Sequence, residues 1–149
     1  MTPTKACPVI LRSAAGPELL AFRHPLADLQ LVKGTIEAGE ALADAAIREL
    51  REEAGIASAR LVRDLGIWRS GHESQVWSFH QLSANQPLPD AWSHQTDDDG
   101  GHVFRFFWHP IGLKDLQRST GSNLLNEWHP VFVGALAFIE RQLRADRMS

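Results

Sequence analysis

The chain has 149 residues, a length that fits one compact domain, so we expect a single domain spanning residues 1–149. Its hydrophobic content of 44% and charged content of 22% are ordinary for a globular protein, which excludes a disordered or fibrous chain. The formal net charge of -3 at pH 7 supplies no general basic field, which argues against a dedicated binder of DNA or RNA polymers.

The N-terminal part of the sequence predicts a β-hairpin followed by a glycine-containing loop. Two short apolar runs, Cys7–Ser13 and Glu18–Phe22, flank a turn that contains glycine and proline, a pattern typical of paired strands. Leu29–Val32 is a further short strand candidate. It leads into a loop that we place from Gly34 to Gly39.

A helix is predicted from Ala41 to Ala54, because this segment is composed mainly of the strong helix formers Ala, Leu, Glu and Arg. Gly55 follows directly and supplies a natural helix end.

The second half of the chain predicts strands, one long loop and a final helix. Strands are predicted at Leu61–Trp68, Ser74–Leu82 and His102–Trp108. The stretch Ser83–Gly101 contains prolines, aspartates and glycines and is predicted to be a loop throughout. Pro130–Leu143 is predicted to be a helix, with the proline in its first turn. Strands that alternate with helices in this way predict a layered domain of the α/β (α+β) class.

The predicted helix from Ala41 to Ala54 carries an unusual concentration of glutamates. Residues three and four apart share a helix face, so Glu49, Glu52 and Glu53 project within an arc of roughly 100°. The side chains expected on the opposite face, where they can pack against a sheet, are Ala43, Ile47, Leu50 and Ala54.

Three carboxylates on one helix face repel one another, so something should offset their charge. Arg48 lies four residues before Glu52 and can pair with it. A divalent cation would do more, since carboxylate oxygens are ligands that Mg²⁺ prefers. A solvated, charge-rich surface helix is the more common explanation of Glu and Arg at this spacing, and spacing alone does not overturn it.

The residues around this helix resemble the Nudix box. That motif reads Gly, five residues, Glu, seven residues, Arg-Glu, an aliphatic residue, any residue, Glu-Glu, any residue, Gly and an aliphatic residue. Every position is met without a gap by Gly34, Glu40, Arg48, Glu49, Leu50, Glu52, Glu53, Gly55 and Ile56. The resemblance implies a Nudix-like α/β/α sandwich with a mixed β-sheet.

The resemblance also implies a reaction and the residues that carry it. Members of this family hydrolyse a nucleoside diphosphate linked to another moiety, by water attack at phosphorus with Mg²⁺ or Mn²⁺. By position, Glu49, Glu52 and Glu53 would bind the metal, and one of them or an acidic residue of a later loop would help to deprotonate the water. Arg48 would orient a catalytic glutamate, and Glu40 would support that network from the helix start.

The residues just before the box bear on substrate binding. Gly34 and Gly55 would set the geometry of the loop and of the helix end. Lys33 and Gly34 are similar to the loop of dinucleoside-polyphosphate hydrolases, so the ammonium group could contact a distal phosphate. An exposed loop lysine is an equally good interpretation of Lys33, and the tyrosine usual in that subgroup is absent because the chain has none.

Several weaker candidates lie outside the box. Ser74–Phe79 resembles the Ser-Gln-Pro-Trp-Pro-Phe motif of NADH-cleaving members, but it lacks both prolines, and an amphipathic strand explains the same residues. Trp77 or Phe79 could still stack on a base from that strand. Further acidic ligand candidates, each more readily explained as surface residues, are Asp97, Asp98, Asp99, Glu73 and Glu127. The histidines that could contact substrate are His24 and His102.

Cellular context is predicted from what the sequence lacks. Cys7 is the only cysteine, which excludes an intrachain disulfide and a zinc site built on several cysteines. The first residues lack the apolar stretch of a signal peptide, and no run is long enough to span a membrane, so we expect a cytoplasmic protein with no membrane partner.

The expected function is therefore a metal-dependent Nudix pyrophosphohydrolase with a small nucleotide as its substrate. The substrate could be a nucleoside triphosphate, a nucleotide sugar or a dinucleoside polyphosphate, because base and sugar contacts lie outside the box. The alternative is a non-catalytic Nudix-fold module that senses a nucleotide, although the intact glutamates speak against it. A homodimer is left open.

Overall fold

The computed structural model describes residues 2–97, 101–112 and 127–148. In chain order its elements are β1 (Lys5–Ser13), β2 (Pro17–Arg23), β3 (Leu29–Gln30), β4 (Gly34–Thr35), α1 (Leu42–Ala54), β5 (Ala59–Arg69), β6 (Val76–Ala84), β7 (Trp92–Gln95), β8 (Val103–Pro110) and α2 (Pro130–Met148).

The strands form a mixed sheet in the order β5-β6-β1-β2-β8-β7, and β1 is its central strand. The first part of β1, Lys5–Ile10, pairs with β6 in parallel. Its last part, Leu11–Ser13, pairs with β2 in the predicted antiparallel hairpin. The short strands β3 and β4 pair with β2 and β1 respectively. The mixed sheet that the family resemblance implied is confirmed.

Alternating residues of the central strands divide the core into two clusters, one on each face of the sheet. Cys7 and Val9 of β1 pack in the cluster that also contains the apolar residues of α2. Ala6 and Ile10 of the same strand pack in the cluster that contains Leu50 and the other buried apolar residues of α1. Because successive side chains of a strand point to opposite faces, the two helices cover opposite sides of the sheet. The predicted α/β/α sandwich is therefore confirmed.

The predicted elements are recovered with different bounds. The helix expected from Ala41 begins at Leu42, and the last helix extends beyond the predicted end at Leu143 to Met148. The strand expected at Leu29–Val32 is paired only over Leu29–Gln30, because the chain then crosses from β2 to β1, where Gly34–Thr35 forms β4 inside the predicted loop.

The prediction that Ser83–Gly101 is a loop throughout was wrong, because it contains β7. Trp92 of β7 stacks on Phe106 of β8 with ring centroids 5.2 Å apart and an interplanar angle of 10°. The Trp92 indole N–H also donates a hydrogen bond of 2.9 Å to the carbonyl oxygen of Ala54, at the end of α1. Both partners of Trp92 are distant from it in sequence. The four residues of β7, which lie between prolines and aspartates, therefore show no strong local pattern that predicts a strand.

Within the described part of the chain, neither helix combines the length and the apolar character needed to cross a lipid bilayer.

Leu50 tests the packing of α1 on the sheet. The side chain of Leu50 is only 1% exposed, so Leu50→Ala leaves a cavity beneath the helix. We expect a loss of about 3 kcal/mol in the free energy of unfolding, measured by urea denaturation. Leu26 is the matched control because it is 77% exposed, and Leu26→Ala should change that free energy by less than about 0.5 kcal/mol. Equal effects of the two substitutions would contradict the assigned packing.

Candidate active site

A cavity of about 530 Å³ lies along the glutamate-bearing side of α1, and we call it the glutamate cavity. It brings together most of the residues singled out from the sequence: Lys33, Gly34, Arg48, Glu49, Glu52, Glu53 and His24. Residues that sequence reasoning missed also line it, namely Lys5, Gln30, Thr35, Glu37 and Phe104. They come from separate strands and loops, so only the folded sheet brings them together. Glu40 does not line the cavity but binds Arg48 at its edge.

The glutamates are distributed around α1 differently from the prediction. Glu49 and Glu53 are only 5% and 7% exposed, whereas the side chain of Glu52 is 45% exposed. Of the predicted apolar face, Leu50 and Ala54 are buried and the half-buried Ile47 packs against the core cluster beneath α1, whereas Ala43 is only half-buried. The buried face of α1 consists of Ala45, Ala46, Glu49, Leu50, Glu53 and Ala54. The helix is thus rotated so that two of the three carboxylates lie between it and the strands.

Arg48 is the centre of a hydrogen-bonded network of carboxylates. Its Nε donates to one oxygen of Glu40 at 2.8 Å and its Nη2 to the other at 2.9 Å, a bidentate pair. Its Nη1 donates to Glu49 at 2.7 Å and to Glu52 at 3.2 Å, which includes the predicted pairing four residues apart. Nη2 also donates to the carbonyl oxygen of Thr35 at 2.9 Å, so the network connects α1 to β4.

The hydrogen bonds of this network shift the pKa values of Glu40 and Arg48. Hydrogen bonding from Arg48, followed by a hydrogen bond from the backbone N–H of Glu37, lowers the pKa of Glu40 to about 2. Hydrogen bonding to Glu40 is likewise the largest influence that raises the pKa of Arg48. Glu40 is therefore a carboxylate throughout the physiological range, and Arg48 remains its cationic partner.

Gly34 is required by the close approach of β4 to α1. A Cβ atom at this position would collide with the carboxylate of Glu49. Because only glycine lacks that atom, Gly34 lets a strand backbone lie directly against a buried glutamate.

Gly55 ends α1 in the left-handed conformation, with φ of 75°. A Cβ atom at Gly55 would lie 2.7 Å from Nδ1 of His94. His94 Nε2 is 3.1 Å from the carbonyl oxygen of Glu52, so β7 covers the C-terminal end of α1. The two box glycines thus allow one close contact beside Glu49, within α1, and one at the C-terminal end of the helix.

Lys33 lies between the glutamate cavity and an aromatic surface. Its ammonium nitrogen is 5.1 Å from the ring centroid of Trp77 and 5.9 Å from that of Phe132. Burial is the largest influence on Lys33 and lowers its pKa, and the nearby charge of Lys5 acts in the same direction. Lys5 Nζ donates a hydrogen bond of 2.6 Å to the hydroxyl of Thr35. Two cations therefore lie at the same cavity as the glutamates.

The weaker candidates from the sequence are mostly placed elsewhere. Trp77 and Phe79 are 0% exposed, so the interpretation that they could stack on a base was wrong and the amphipathic-strand interpretation is favoured. His24 and His102 lie together, with ring centroids 4.9 Å apart, and His24 lines the glutamate cavity. The acidic candidates that are described but do not line this cavity are Glu73, Asp97 and Glu127. Asp98 and Asp99 lie outside the described residues.

The carboxylates do not yet converge on a common point. Among residues 2–97, 101–112 and 127–148, no three His, Cys, Asp or Glu side chains are grouped tightly enough to hold a metal ion as placed. Glu49 and Glu52 are both turned toward Arg48, within 2.7 and 3.2 Å of its Nη1. Carboxylate oxygens therefore surround one cavity, and the positive charge of Arg48 offsets part of their negative charge.

Comparison with known proteins gives one family match and several similar folds. The family model described as NUDIX domain matches residues 2–124. Similar solved structures include an Ap4A hydrolase of C. elegans, with 22% identity over 97% of this chain and 98% of that chain and a TM-score of 0.56. An ADP-ribose pyrophosphatase of Streptococcus suis has 17% identity over 96% and 93% of the two chains and a TM-score of 0.58. A MutT protein of Methanosarcina mazei Go1 has 17% identity over 95% and 93% and a TM-score of 0.57. At these identities the structural likeness concerns the fold. No curated protein sequence matches the chain.

Glu40 gives the network a testable pH dependence. Its pKa is lowered from 4.5 to about 2 in the folded protein, so its contribution to stability is present above pH 4.5 and is lost as the pH falls toward 2. Glu40→Gln should therefore lower the free energy of unfolding at pH 7, and the difference from wild type should shrink at pH 3. Urea denaturation at both pH values measures this.

Glu37 supplies the matched control for that experiment. Its side chain is 68% exposed and its carboxylate oxygen is 3.7 Å from Arg48 Nε, outside hydrogen-bond distance. Glu37→Gln should have a much smaller effect at pH 7, because exposed pairs contribute little. A difference between wild type and Glu40→Gln that stays the same at pH 7 and pH 3 would exclude a role for the Glu40 charge.

Proposed function

The chain belongs to the Nudix family of hydrolases, and on that premise we propose that it cleaves the diphosphate linkage of a nucleoside diphosphate derivative by water attack at phosphorus, with the help of a divalent cation. The observation that carries this proposal is the Arg48 network, which joins Glu49 and Glu52, at the cavity that the buried Glu53 also lines, to Glu40 at its edge. We propose that these residues work within one domain that spans residues 1–149.

The residues present fit a hard divalent cation. Glu49, Glu52 and Glu53 offer the carboxylate oxygens that Mg²⁺ prefers, and all three line the same cavity. Gly34 lets the backbone of β4 lie directly against Glu49, because any side chain there would collide with that carboxylate. We propose Mg²⁺ as the cofactor, with Mn²⁺ as an alternative, since both ions suit oxygen ligands.

Such a cation, when bound, offsets negative charge on the phosphate and lowers the pKa of a coordinated water. The protein's own contribution starts from Arg48, which holds Glu49 and Glu52 through charge-assisted hydrogen bonds. Arg48 would keep its bidentate bond to Glu40 if Glu49 and Glu52 exchanged their bonds to Arg48 for a cation. Glu49, Glu52 and Glu53 would then share two roles, holding the cation and accepting the proton of the attacking water.

Lys33 and Lys5 suit the binding of the substrate's phosphates. Both line the glutamate cavity, and the lysine ammonium group is a compact cation that pairs well with phosphate oxygens. Lys33 is held against aromatic rings, which limits its motion and orients its charge. Lys5 is oriented by its hydrogen bond to Thr35. These two cations offset the charge that a polyphosphate adds to an acidic cavity.

The substrate classes to be tested follow from the sequence and from the relatives. Two of the structural relatives are an Ap4A hydrolase and an ADP-ribose pyrophosphatase. We therefore propose that the substrate is a nucleoside triphosphate, a nucleotide sugar or a dinucleoside polyphosphate.

Glu53 tests the role of the buried carboxylate. Glu53→Gln keeps the size of the side chain but removes a charge at the cavity, so kcat should fall by at least about a hundredfold on the best substrate. Asp44 is an exposed carboxylate in the first turn of the same helix and lies outside the cavity, so Asp44→Asn should retain wild-type kcat. Steady-state kinetics with matched unfolding curves measures both, and equal kcat values in all three proteins would contradict the assigned role.

Metal removal tests the reaction itself. We expect purified protein to release products from at least one member of a panel of the three substrate classes with Mg²⁺, to lose this activity in EDTA and to regain it on addition of Mg²⁺ or Mn²⁺. Identification of the products by mass spectrometry shows which phosphorus is attacked. Tight nucleotide binding with no turnover under any of these conditions would instead support a nucleotide sensor.

A further inference from the structure

The aromatic surface beside Lys33 is connected to residues 70–75, which join β5 to β6 outside the Nudix box and which we call the β5–β6 turn. Trp77, whose ring centroid is 5.1 Å from the Lys33 ammonium nitrogen, donates its indole N–H to Oε1 of Gln75 at 3.0 Å. Nε2 of Gln75 in turn donates to the carboxylate of Glu73 at 3.2 Å. A row of contacts therefore runs from Glu73 through Gln75 and Trp77 to Lys33.

The β5–β6 turn also reaches Phe132, the second ring beside Lys33. The imidazole of His72 lies edge-on to that of His129, with ring centroids 5.5 Å apart. His129 contacts Phe132 of α2 in the same edge-on manner, at 6.2 Å. Nδ1 of His129 accepts a hydrogen bond of 3.3 Å from the backbone N–H of Val131, which orients the imidazole at the start of α2. Both rings that border the Lys33 ammonium group are thus connected to the same turn.

The backbone of the β5–β6 turn adopts an unusual conformation. Glu73 and Ser74 have φ of 50° and 58°, a left-handed region that residues other than glycine rarely occupy. Such strain persists only where the surrounding structure determines it. Here the N–H of Gln75 donates to the carbonyl oxygen of His72 at 2.9 Å, and the carbonyl oxygen of Gln75 accepts from the N–H and the hydroxyl of Ser70 at 3.2 and 2.8 Å. These hydrogen bonds hold Gln75 where its side chain meets the indole N–H.

Lys33 needs such support because its charge lies in an unfavourable place. The residue is half-buried, and burial, followed by the charge of Lys5, lowers the pKa of Lys33. The negative charges of Glu53 and Glu73 act in the opposite direction. Glu53 is a proposed ligand of the cation, so its charge would be shared with a bound metal ion. Glu73 does not line the glutamate cavity, and its charge would remain available to Lys33.

We propose that Gln75 is a positioning residue for Lys33: anchored by Glu73, it fixes the Trp77 ring beside which the ammonium group meets the phosphates of the substrate. The inference rests on the proposed function, which assigns Lys33 to phosphate binding. Trp77 is 0% exposed, so an indole N–H that lost Gln75 would have no water to bind, and the ring would shift toward another acceptor. The carbonyl of Gln75, itself polarised by Glu73, also makes the ring face more negative and strengthens its attraction for the cation.

Nuclear magnetic resonance of protein labelled with ¹³C-lysine tests the position of Lys33 without turnover. In wild type, the ε-methylene signal of Lys33 should lie upfield of the lysine signal of urea-unfolded protein, because the ring current of Trp77 shields it. Gln75→Leu should move this signal toward the unfolded position. Gln81→Leu is the matched control and should leave the signal unchanged. Gln81 is likewise half-buried and accepts a hydrogen bond through Oε1, from Nε of Arg63 at 2.8 Å, but it lies further along β6.

Inorganic tripolyphosphate, titrated in EDTA and followed by the same lysine signals, tests phosphate binding. Gln75→Leu should raise the Kd about fivefold, because a lysine that is no longer ordered must be immobilised on binding. In a Lys33→Met background, with binding read from the Lys5 signal, Gln75→Leu should have no further effect, since Gln75 acts through Lys33. Gln81→Leu should leave the Kd unchanged in both backgrounds.

An exchange of the two polar groups separates positioning from general damage to the fold. Glu73→Gln/Gln75→Glu keeps an acceptor for the indole N–H and keeps the net charge, so it should restore the upfield signal and a Kd within about twofold of wild type. Failure of the exchange to restore them would overturn the inference. An unchanged Lys33 signal in Gln75→Leu, an equal rise of the Kd in both backgrounds, or no binding of tripolyphosphate by wild type would also overturn it.

Hydrolysis of the substrate panel with Mg²⁺ is measured separately. A wild type that shows the Lys33 shift and binds tripolyphosphate, but turns over no substrate, would reject the proposed reaction and retain the positioning role of Gln75.

Discussion

The bidentate pair between Arg48 and Glu40 is the interaction on which the site depends. Glu40 precedes α1 and holds the guanidinium in one position, with donor–acceptor distances of 2.8 and 2.9 Å. The remaining donors of Arg48 reach Glu49, Glu52 and the backbone of Thr35, so a single cation connects the helix start, two turns of the helix and β4. Without that cation, carboxylates on one helix face would repel one another with no internal compensation. The same cation holds an oxygen of Glu49 and an oxygen of Glu52, so we propose that a metal ion competes with Arg48 for these oxygens.

The sheet determines where this network lies. Alternation along the central strands gives each face of the sheet its own helix and its own core cluster. α1 is seated by Leu50 and its neighbours, and this packing brings Glu49 and Glu53 between the helix and the strands. A carboxylate placed there loses much of its hydration, so it must be offset by cations such as Arg48 or Lys33. Packing and charge are thus coupled, since the apolar contacts that hold the helix also bury the groups that we propose to be catalytic.

Sequence reasoning recovered the helix, the main strands and the box residues, and its errors have physical causes. The box located residues of the glutamate cavity because its spacing follows the period of a helix and because the close contact of β4 with Glu49 requires glycine at position 34. β7 was missed because Trp92 is held by partners far away in sequence. The rotation of α1 was missed because helical periodicity treats glutamate as a solvent-facing residue, whereas Arg48 makes its burial tolerable. The contribution of Lys5 and Thr35 to the glutamate cavity was not found, because only the pairing of β1 with β4 brings these residues together.

The most direct test of the proposed site is the binding of Mn²⁺ measured by electron paramagnetic resonance, since it reports on the carboxylates without requiring the correct substrate. Wild-type protein should bind Mn²⁺ at neutral pH, and a Glu49→Gln/Glu53→Gln double variant that unfolds at a similar urea concentration should lose that binding. Displacement of the bound Mn²⁺ by excess Mg²⁺ would extend the result to the proposed cofactor. Equal binding of Mn²⁺ by the two proteins, or none by the wild type, would contradict the assignment of these glutamates as the metal site.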